Sequence, residues 1–485
     1  MTPEEFRKFG HQVVDWVADY RKRVAKLPVM ARTGPGEVRE RLPNLPPEKP
    51  EPFKKILRDL DDIIMPGLSH WQHPEFFGYF PSNGELSSVL GDYLSTGLGV
   101  LGLSWQASPA LTELEEVVTW WLQRMMGLSA SWSGVIQDTA STSTFVALLC
   151  ARERTTNYGL TRGGLQAEKN PLVVYASAHS HSSVEKAALM AGFGRENVRL
   201  IPCDAAYAMR ADAVEAAIKK DISEHRQPCA IVATTGTTTT AALDPIEGLA
   251  QLRRKYKIWV HVDAAMAGSA MILPECRWMW RGIEEADSLV LNPHKWLGAA
   301  FDCSVYYVRD AEHLVRVMST NPSYLQSAAD GRVKNYRDWG VPLGRRFRAL
   351  KLWLLIRGQG VARLQERLRR DIANAQWFAA QVRAAPQWRV LAPVPLQTVC
   401  VRHEPPGLDG EALDRHTLDW VERVNRSGHA YLTPAMLDGR WMVRVSIGSL
   451  TTERRHVAGL WKRMQAEAAR GNPKARRDRR RISKV

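Results

Sequence analysis

The first regular pattern along the chain is helical. Phe6, Phe9, Val13, Trp16, Val17 and Tyr20 recur at intervals that put them on one apolar stripe, the signature of an amphipathic helix. Thr2 can cap that helix, Pro3 suits its first turn and Glu5 completes a capping box. Such a stripe has to be buried on something. The proline-rich stretch "LPNLPPEKPEPF" (42–53) follows as an extended connector. The N-terminal piece therefore reads as an arm packed on another surface.

From about residue 170 the pattern turns to short β-branched runs: "LVVYAS" (172–177), "VRLIPC" (198–203), "CAIVATT" (229–235), "IWVHVD" (258–263) and "SLVLN" (288–292). Helical stretches such as "ADAVEAAIKKDI" and "PIEGLAQLRRKY" lie between most of them. This alternation predicts an α/β fold with a largely parallel sheet and helices on its faces. Open sheets of that kind bind ligands beyond the carboxyl ends of their strands. Thr234 to Thr240, Asp263 and Lys295 are thereby expected in one crevice. A long helical region over 344–384 leads to a last unit with strand-like "QTVCVRH" and "WMVRVSIGS" and the helix "ERRHVAGLWKRMQAEAAR". The expected division is an N-terminal helical arm (1–84), a large α/β domain (85–370), a small C-terminal α+β domain (371–470) and a basic tail (471–485). No internal repeat is visible.

Composition narrows the class. A length of 485 residues predicts two or three structural units, and 45% apolar with 24% charged residues is ordinary globular usage. No uncharged apolar run reaches the roughly 18 residues of a spanning helix, and "MTPEEFRKFGHQVVDWV" lacks the apolar core of a secretory signal. The cysteines at 150, 203, 229, 276, 303 and 400 are scattered, which suits a reducing cytoplasm better than a disulfide framework or structural zinc. "NRS" at Asn425 matches a glycosylation acceptor but carries little meaning inside a cell. The net charge of +15 would suit nucleic acid, yet "KARRDRRRISKV" concentrates seven basic residues against Asp478 at the end of the chain. The tail reads as a solvated end, and no specific nucleic acid or membrane partner is expected.

Two motifs mislead. "GLGVLG" (97–102) fits a dinucleotide fingerprint, but that fingerprint needs a preceding strand and "SSVLGDYLST" looks helical. "HSH" at 179–181 has no further ligand at metal spacing, so no metal site is expected. Three other stretches combine better. "QDTASTSTF" (137–145) offers hydroxyls and free amides at a helix start, either an anion cradle or an ordinary cap. "HVDAAMAGSA" puts Asp263 at a strand end among small residues, where it can cap the next helix or pair with a protonated ring nitrogen. "LVLNPHKWLGAA" (289–300) walls Lys295 between His294 and Trp296. A phosphorylated pyridine aldehyde would use all three, with its phosphate on the cradle, its nitrogen on the carboxylate and its aldehyde on the lysine. Partial desolvation favours the neutral amine that attacks an aldehyde.

Together, "NPHKWLG", "HVDAAMAGSA", "SAHSHSSVEKA", "HWQHPEFFGYFPS" and "WGVPLGRRFRALKLW" resemble the group II pyridoxal-phosphate decarboxylases, most closely the aromatic-L-amino-acid (dopa-type) enzymes, bacterial ones included. The likeness runs from about residue 5 to 468. It implies the aspartate-aminotransferase-like fold (fold type I), with a mainly parallel seven-stranded-type sheet, and a cytoplasmic homodimer with its site at the subunit interface. It also implies pyridoxal 5'-phosphate bound through Lys295, with Asp263 on the pyridine nitrogen and His181 stacked on the ring. Thr139, Ala140, Ser141 and Asn292 would contact the phosphate, and Thr238, Ala265 and His294 would lie beside the cofactor. Ser82 falls where the family shows a threonine near the substrate carboxylate. Trp71, Tyr79, Phe80, Leu101 and Leu103 would line an aromatic side-chain pocket.

The activity so implied is decarboxylation of an aromatic L-amino acid to its amine and carbon dioxide. L-dopa is the favoured substrate, with tryptophan, phenylalanine, tyrosine and 5-hydroxytryptophan as rivals. Tyr324, in "STNPSYLQSAADGRVKNYRDW", matches the mobile-loop tyrosine that protonates the product carbon. Relatives that release an aldehyde typically carry phenylalanine there or asparagine for His181, so the amine is favoured over the aldehyde. Gly344 lies where plant relatives tend to have glycine for indolic and serine for phenolic substrates. A nucleic-acid binder built on a vestigial enzyme core is the remaining alternative.

Overall fold

Six of the seven strands of the main sheet point the same way, so their carboxyl ends form one edge. The structure, a computed structural model, describes residues 1–320 and 331–470. It comprises two compact units, Met1–Pro81 with Gln376–Val390 and Cys400–Val485, and Ser82–Ala375 with Leu391–Val399.

The second unit carries the large sheet: β1 (Ser133–Gln137), β2 (Leu172–Ser177), β3 (Val198–Ile201), β4 (Gln227–Thr234), β5 (Trp259–Asp263), β6 (Ser288–Leu291) and β7 (Ser304–Val308). Their spatial order is β1-β7-β6-β5-β4-β2-β3. Only β7 is antiparallel, paired with β1 on one side and β6 on the other. Strands β2, β4, β5 and β6 are buried at every position except the first two residues of β4, which is why they read as continuous apolar runs. The helix Ala140–Thr155 covers β4 to β7 and buries Val146, Ala147, Cys150 and Ala151 against Val174, Val232 and Trp259. Its polar positions are pinned too. Thr144 Oγ1 lies 3.3 Å from His261 Nε2, and His261 Nδ1 lies 2.9 Å from Ser288 Oγ.

The alternation pattern did not single out β1 or β7. In "SWSGVIQD", serines and a glycine dilute the periodicity. Gly134 is required there by close approach, since a Cβ would stand 2.8 Å from Thr119 Cβ and from Tyr307 Cε1. The helix Leu86–Leu98 runs into "GLGVLG", takes in Gly97 and ends on left-handed Gly99, so the motif is a helix end and turn, not a strand-to-helix phosphate loop.

The other unit contains a four-stranded sheet, β8 (Trp388–Val390), β9 (Thr398–His403), β10 (Thr433–Leu437) and β11 (Arg440–Ser446), in the order β10-β11-β9-β8. The helix Gly410–Arg426 buries Leu413, Trp420, Val421 and Val424, and the helix Arg454–Arg470 buries Val457, Leu460, Trp461 and Met464. At the start of the chain the helix Pro3–Arg23 has the expected capping box between Thr2 and Glu5. None of its residues is buried within the chain, and Phe6 and Val13 lie exposed. No described helix is long and apolar enough to cross a membrane.

Candidate active site

The strand directions bring the candidate residues to one edge. Gln137 at the end of β1 pairs with Ser304, Leu291 at the end of β6 with Val305, and Thr234 at the end of β4 with Asp263 at the end of β5. The segments that leave β1, β2, β4, β5 and β6 therefore emerge side by side. Backbone hydrogen bonds tie three of them together. Thr235 N–H donates to the Asp263 carbonyl at 3.0 Å, Asn292 N–H to Ala265 at 2.9 Å, and Lys295 N–H to Asn292 at 2.9 Å.

Thr139 is the N-cap of the helix Ala140–Thr155, but its side chain makes no capping bond. Its own N–H is taken by Asp138 Oδ1 at 2.6 Å. The amides that open this helix are thus left for another acceptor, with Ala140 buried and Ser141 exposed beside them. Two hydrogen bonds brace the cradle from behind. Ile136 N–H donates to Glu115 Oε1 at 2.8 Å, and Gln137 Nε2 donates to the Trp339 carbonyl at 2.9 Å.

Asp263 is 4% exposed, and its Oδ1 accepts from Ala265 N–H at 3.0 Å. Asp263 does not cap the following helix Ala267–Ile272, whose N-cap is Met266 with no side-chain bond; its bond to Ala265 closes a local turn that orients the carboxylate at the strand end. Lys295 is the one residue between Leu291 and Ala300 that is not fully buried. Its backbone (φ −88, ψ −108) breaks the turn Pro293–Leu297. His294 Nδ1 accepts from Cys303 N–H at 3.0 Å, and its ring meets Phe301 edge-on at 4.9 Å. Burial, reinforced by the Lys295 charge, holds the His294 imidazole down at about 4, so it is a neutral wall.

His181 caps the helix Ser182–Met190 with its own ring: Nδ1 accepts from Ser183 N–H at 3.1 Å and lies 2.8 Å from Ser183 Oγ. A backbone amide can only donate, so the neutral ring carries its proton on Nε2. Crowding by protein lowers the basicity of His181, the Lys295 charge lowers it further, and Asp263 opposes. The ring still keeps an exposed edge, which limits the size of the shift and leaves its sign. Electrostatic influence from both Lys295 and Asp263 ties His181 to the same cluster.

Other candidates are less gathered. Thr238 is half-buried in the turn after β4, beside a Thr237–Thr240 hydroxyl pair at 3.0 Å. Ser82 immediately precedes Asn83, whose N–H donates to the His294 carbonyl at 3.2 Å. Leu101 is exposed and Leu103 half-buried. Trp71, Tyr79 and Phe80 lie in the other unit, where Trp71 stacks on Tyr79 at 5.4 Å and Arg444 sits 4.8 Å over Phe80. Tyr324 lies outside the described residues, as does the basic tail.

The donor set fits a phosphorylated pyridine aldehyde. An uncapped helix start suits a phosphate, and buried Asn292 Oδ1 and the Thr234 and Thr235 hydroxyls at the same edge have no hydrogen-bond partner among the described residues. Comparison with known proteins agrees. The sequence pattern of the pyridoxal-dependent decarboxylase conserved domain matches residues 35–404. This chain belongs to the pyridoxal-dependent decarboxylase family. It is 40% identical to tryptophan decarboxylase 2 of Oryza sativa subsp. japonica, over 97% of this chain and 96% of that one. It is 39% identical to a tyrosine decarboxylase of Papaver somniferum (96% and 94% covered) and 38% identical to phenylacetaldehyde synthase of Arabidopsis thaliana (97% of each). The crystal structure of Oryza sativa TDC with PLP and tryptamine superposes with a TM-score of 0.94 at 35% identity, covering 97% of this chain and 99% of that one.

As a pyridoxal-dependent decarboxylase of fold type I, the chain is a carboxy-lyase that works with pyridoxal phosphate. Some of its supporting residues escaped the sequence reading. Glu115 and Asp371 lie in no motif, and only the fold brings them behind the site; Ser183 and Arg345 lie inside the stretches that carry the family resemblance but have no assigned part there.

Proposed function

We propose that this pyridoxal-dependent decarboxylase converts an aromatic L-amino acid to the corresponding amine and carbon dioxide, using Lys295, Asp263 and His181. The observation that carries the reading is their convergence, with the uncapped helix start at Thr139–Ser141, on the carboxyl edge of one sheet. Bound pyridoxal phosphate supplies the electron sink for the pair left when carbon dioxide departs.

The chain's own residues do the rest. Lys295 offers the amine that holds the cofactor, and Asp263 presents a carboxylate to its ring nitrogen. The Thr139 hydroxyl, the free amides of Ala140 and Ser141 and the Ser141 hydroxyl, with Asn292, hold the phosphate, while Thr238, Ala265 and His294 shape the walls. His181 lays a neutral ring over the cofactor, its orientation fixed through Ser183. Ser82 is directed at the substrate carboxylate, Leu101 and Leu103 at the side chain, and Tyr324 is the proton donor to the product carbon.

Partner subunits complete the reading as a homodimer. The helix Leu86–Leu98 exposes Leu86, Leu90, Tyr93, Leu94 and Leu98, and the helix Pro3–Arg23 buries none of its residues. Exposed apolar faces of this kind mark interaction surfaces. The reading assigns the enzyme to the cytoplasm, which suits six cysteines that form no disulfide among the described residues.

A panel of L-dopa, tryptophan, tyrosine, phenylalanine and 5-hydroxytryptophan, scored for carbon dioxide, amine, aldehyde and peroxide, tests the substrate and product. Amine in step with carbon dioxide is expected. Aldehyde in excess of amine would overturn the product assignment. Lys295→Ala should abolish both turnover and the visible absorbance of the bound cofactor; a variant that kept either would overturn the role of Lys295.

A further inference from the structure

Trp296 takes no part in the chemistry above, yet its indole is fully buried and its Nε1–H donates to Asp371 Oδ2 at 3.0 Å across 75 positions of sequence. Asp371 is itself fully buried, on the helix Ala349–Ala384. Its Oδ1 accepts from Arg370 Nη2 at 3.2 Å. One turn earlier, Arg367 Nη2 donates to the Leu297 carbonyl at 2.8 Å. The two residues that follow Lys295 are therefore held by one helix. From the other side Asn83 N–H holds the His294 carbonyl at 3.2 Å, and Glu85 N–H holds Gly298 at 2.9 Å.

This clamp acts on backbone that its own hydrogen bonds do not make regular, because Lys295 departs from helical angles inside the turn. The carboxylate is not the easy choice for packing. Burial pushes Asp371 up to about 6 against the pull of Arg367, Arg370 and Trp296, and an apolar residue of similar volume would pack there at less cost. What a carboxylate adds is direction. It fixes the indole, and the indole is rooted one residue after the amine.

We infer that Asp371 is a positioning residue for Lys295, acting through the Trp296 indole, with Arg367 steadying the same turn. The inference rests on the assignment of Lys295 as the amine that holds the cofactor.

Trp296→Phe keeps an aromatic ring and removes the donor, while Asp371→Asn keeps the shape and removes the charge. Two readouts report position independently of turnover. One is the dissociation constant for pyridoxal phosphate by equilibrium dialysis. The other is the pH profile of Lys295 modification in the cofactor-free protein by an amine-selective acylating reagent, read by mass spectrometry. Loss of a charge-assisted bond predicts cofactor affinity weaker by about tenfold or more in each variant, with a displaced labelling profile. Arg369→Ala, on the same helix but exposed and paired with Glu275, should leave both unchanged. Wild-type affinity and labelling in both variants would overturn the inference, even if they unfold more easily, since lowered stability alone is what a packing role gives. If Asp371→Asn does not accumulate as folded protein, Trp296→Phe decides alone. The underlying assignment fails separately, through a Lys295→Ala protein that still binds the cofactor covalently.

Discussion

Arg345 and Glu115, 230 positions apart, form a buried ion pair, with Arg345 Nη2 2.6 Å from Glu115 Oε1. The same nitrogen donates to the Ile136 carbonyl at 2.6 Å, and Ile136 N–H returns to Glu115 at 2.8 Å. The pair thus grips both polar groups of the residue three positions before Thr139, where the proposed phosphate cradle begins. Glu115→Gln leaves a guanidinium buried without its counter-charge, a change that typically costs about 3–5 kcal/mol. The expected outcome is a fall of that size in unfolding free energy, together with weaker pyridoxal phosphate binding. Denaturant titration and cofactor dialysis check the two halves, and undiminished cofactor affinity would separate the pair from the cradle.

The signs of the charges around His181 can be tested in the cofactor-free protein. Burial and the Lys295 charge lower its basicity while Asp263 raises it. Its midpoint in an NMR pH titration is expected below the ordinary value of about 6.5. Lys295→Met should raise that midpoint and Asp263→Asn should lower it. Shifts of the opposite sign would remove His181 from the Lys295–Asp263 cluster.

Gly344 has a neighbour that limits what can replace it. A Cβ there would stand 3.1 Å from Leu101 Cδ1, so a side chain must displace Leu101. Under the proposed reading Leu101 faces the substrate ring. Gly344→Ser should then lower kcat/KM for tryptophan relative to tyrosine by about tenfold, the scale of one misfitting group in an apolar pocket. An unchanged ratio in competition assays would take Leu101 out of specificity.

Acid should loosen the smaller sheet first at His403 and His416. Nδ1 of His403 lies 2.9 Å from Nε2 of His416, both rings buried. Burial, with the neighbouring His416, holds His403 down at about 4, and burial also lowers His416. A folded-state value below the unfolded one means that the unfolded chain binds more protons in the interval. Stability from this pair is therefore present above about pH 6.5 and lost as pH falls toward 4, on the order of 2 kcal/mol. Urea titrations of wild type and His403→Gln between pH 7.5 and 5 measure it; equal pH slopes in the two proteins would sink the idea.

Much of the candidate site was legible in the chain because its residues close strands. Asp263 and Lys295 follow apolar runs that must be parallel and buried, so their shared edge follows from topology alone. Helix periodicity likewise exposed the Pro3–Arg23 arm and its cap. Strand β1 was harder because Ser133 and Gly134 dilute its apolar run, and β7, though fully buried, sits in two antiparallel pairings, with β1 and β6, that strand–helix alternation does not announce. Glu115, Arg345 and Asp371 were illegible for a different reason. Each looks like a surface charge until the fold removes its water and supplies a partner.

By itself, then, the sequence determined the class of fold, the strand ends that carry Asp263 and Lys295, and the hydroxyl-rich helix start, because local periodicity and residue chemistry depend on near neighbours. Tertiary structure decided how those groups are held. The indole of Trp296 on Asp371 and the Arg345–Glu115 grip on Ile136 both depend on which atoms desolvation and packing bring together. Contacts across 75 and 230 positions have no period to announce them.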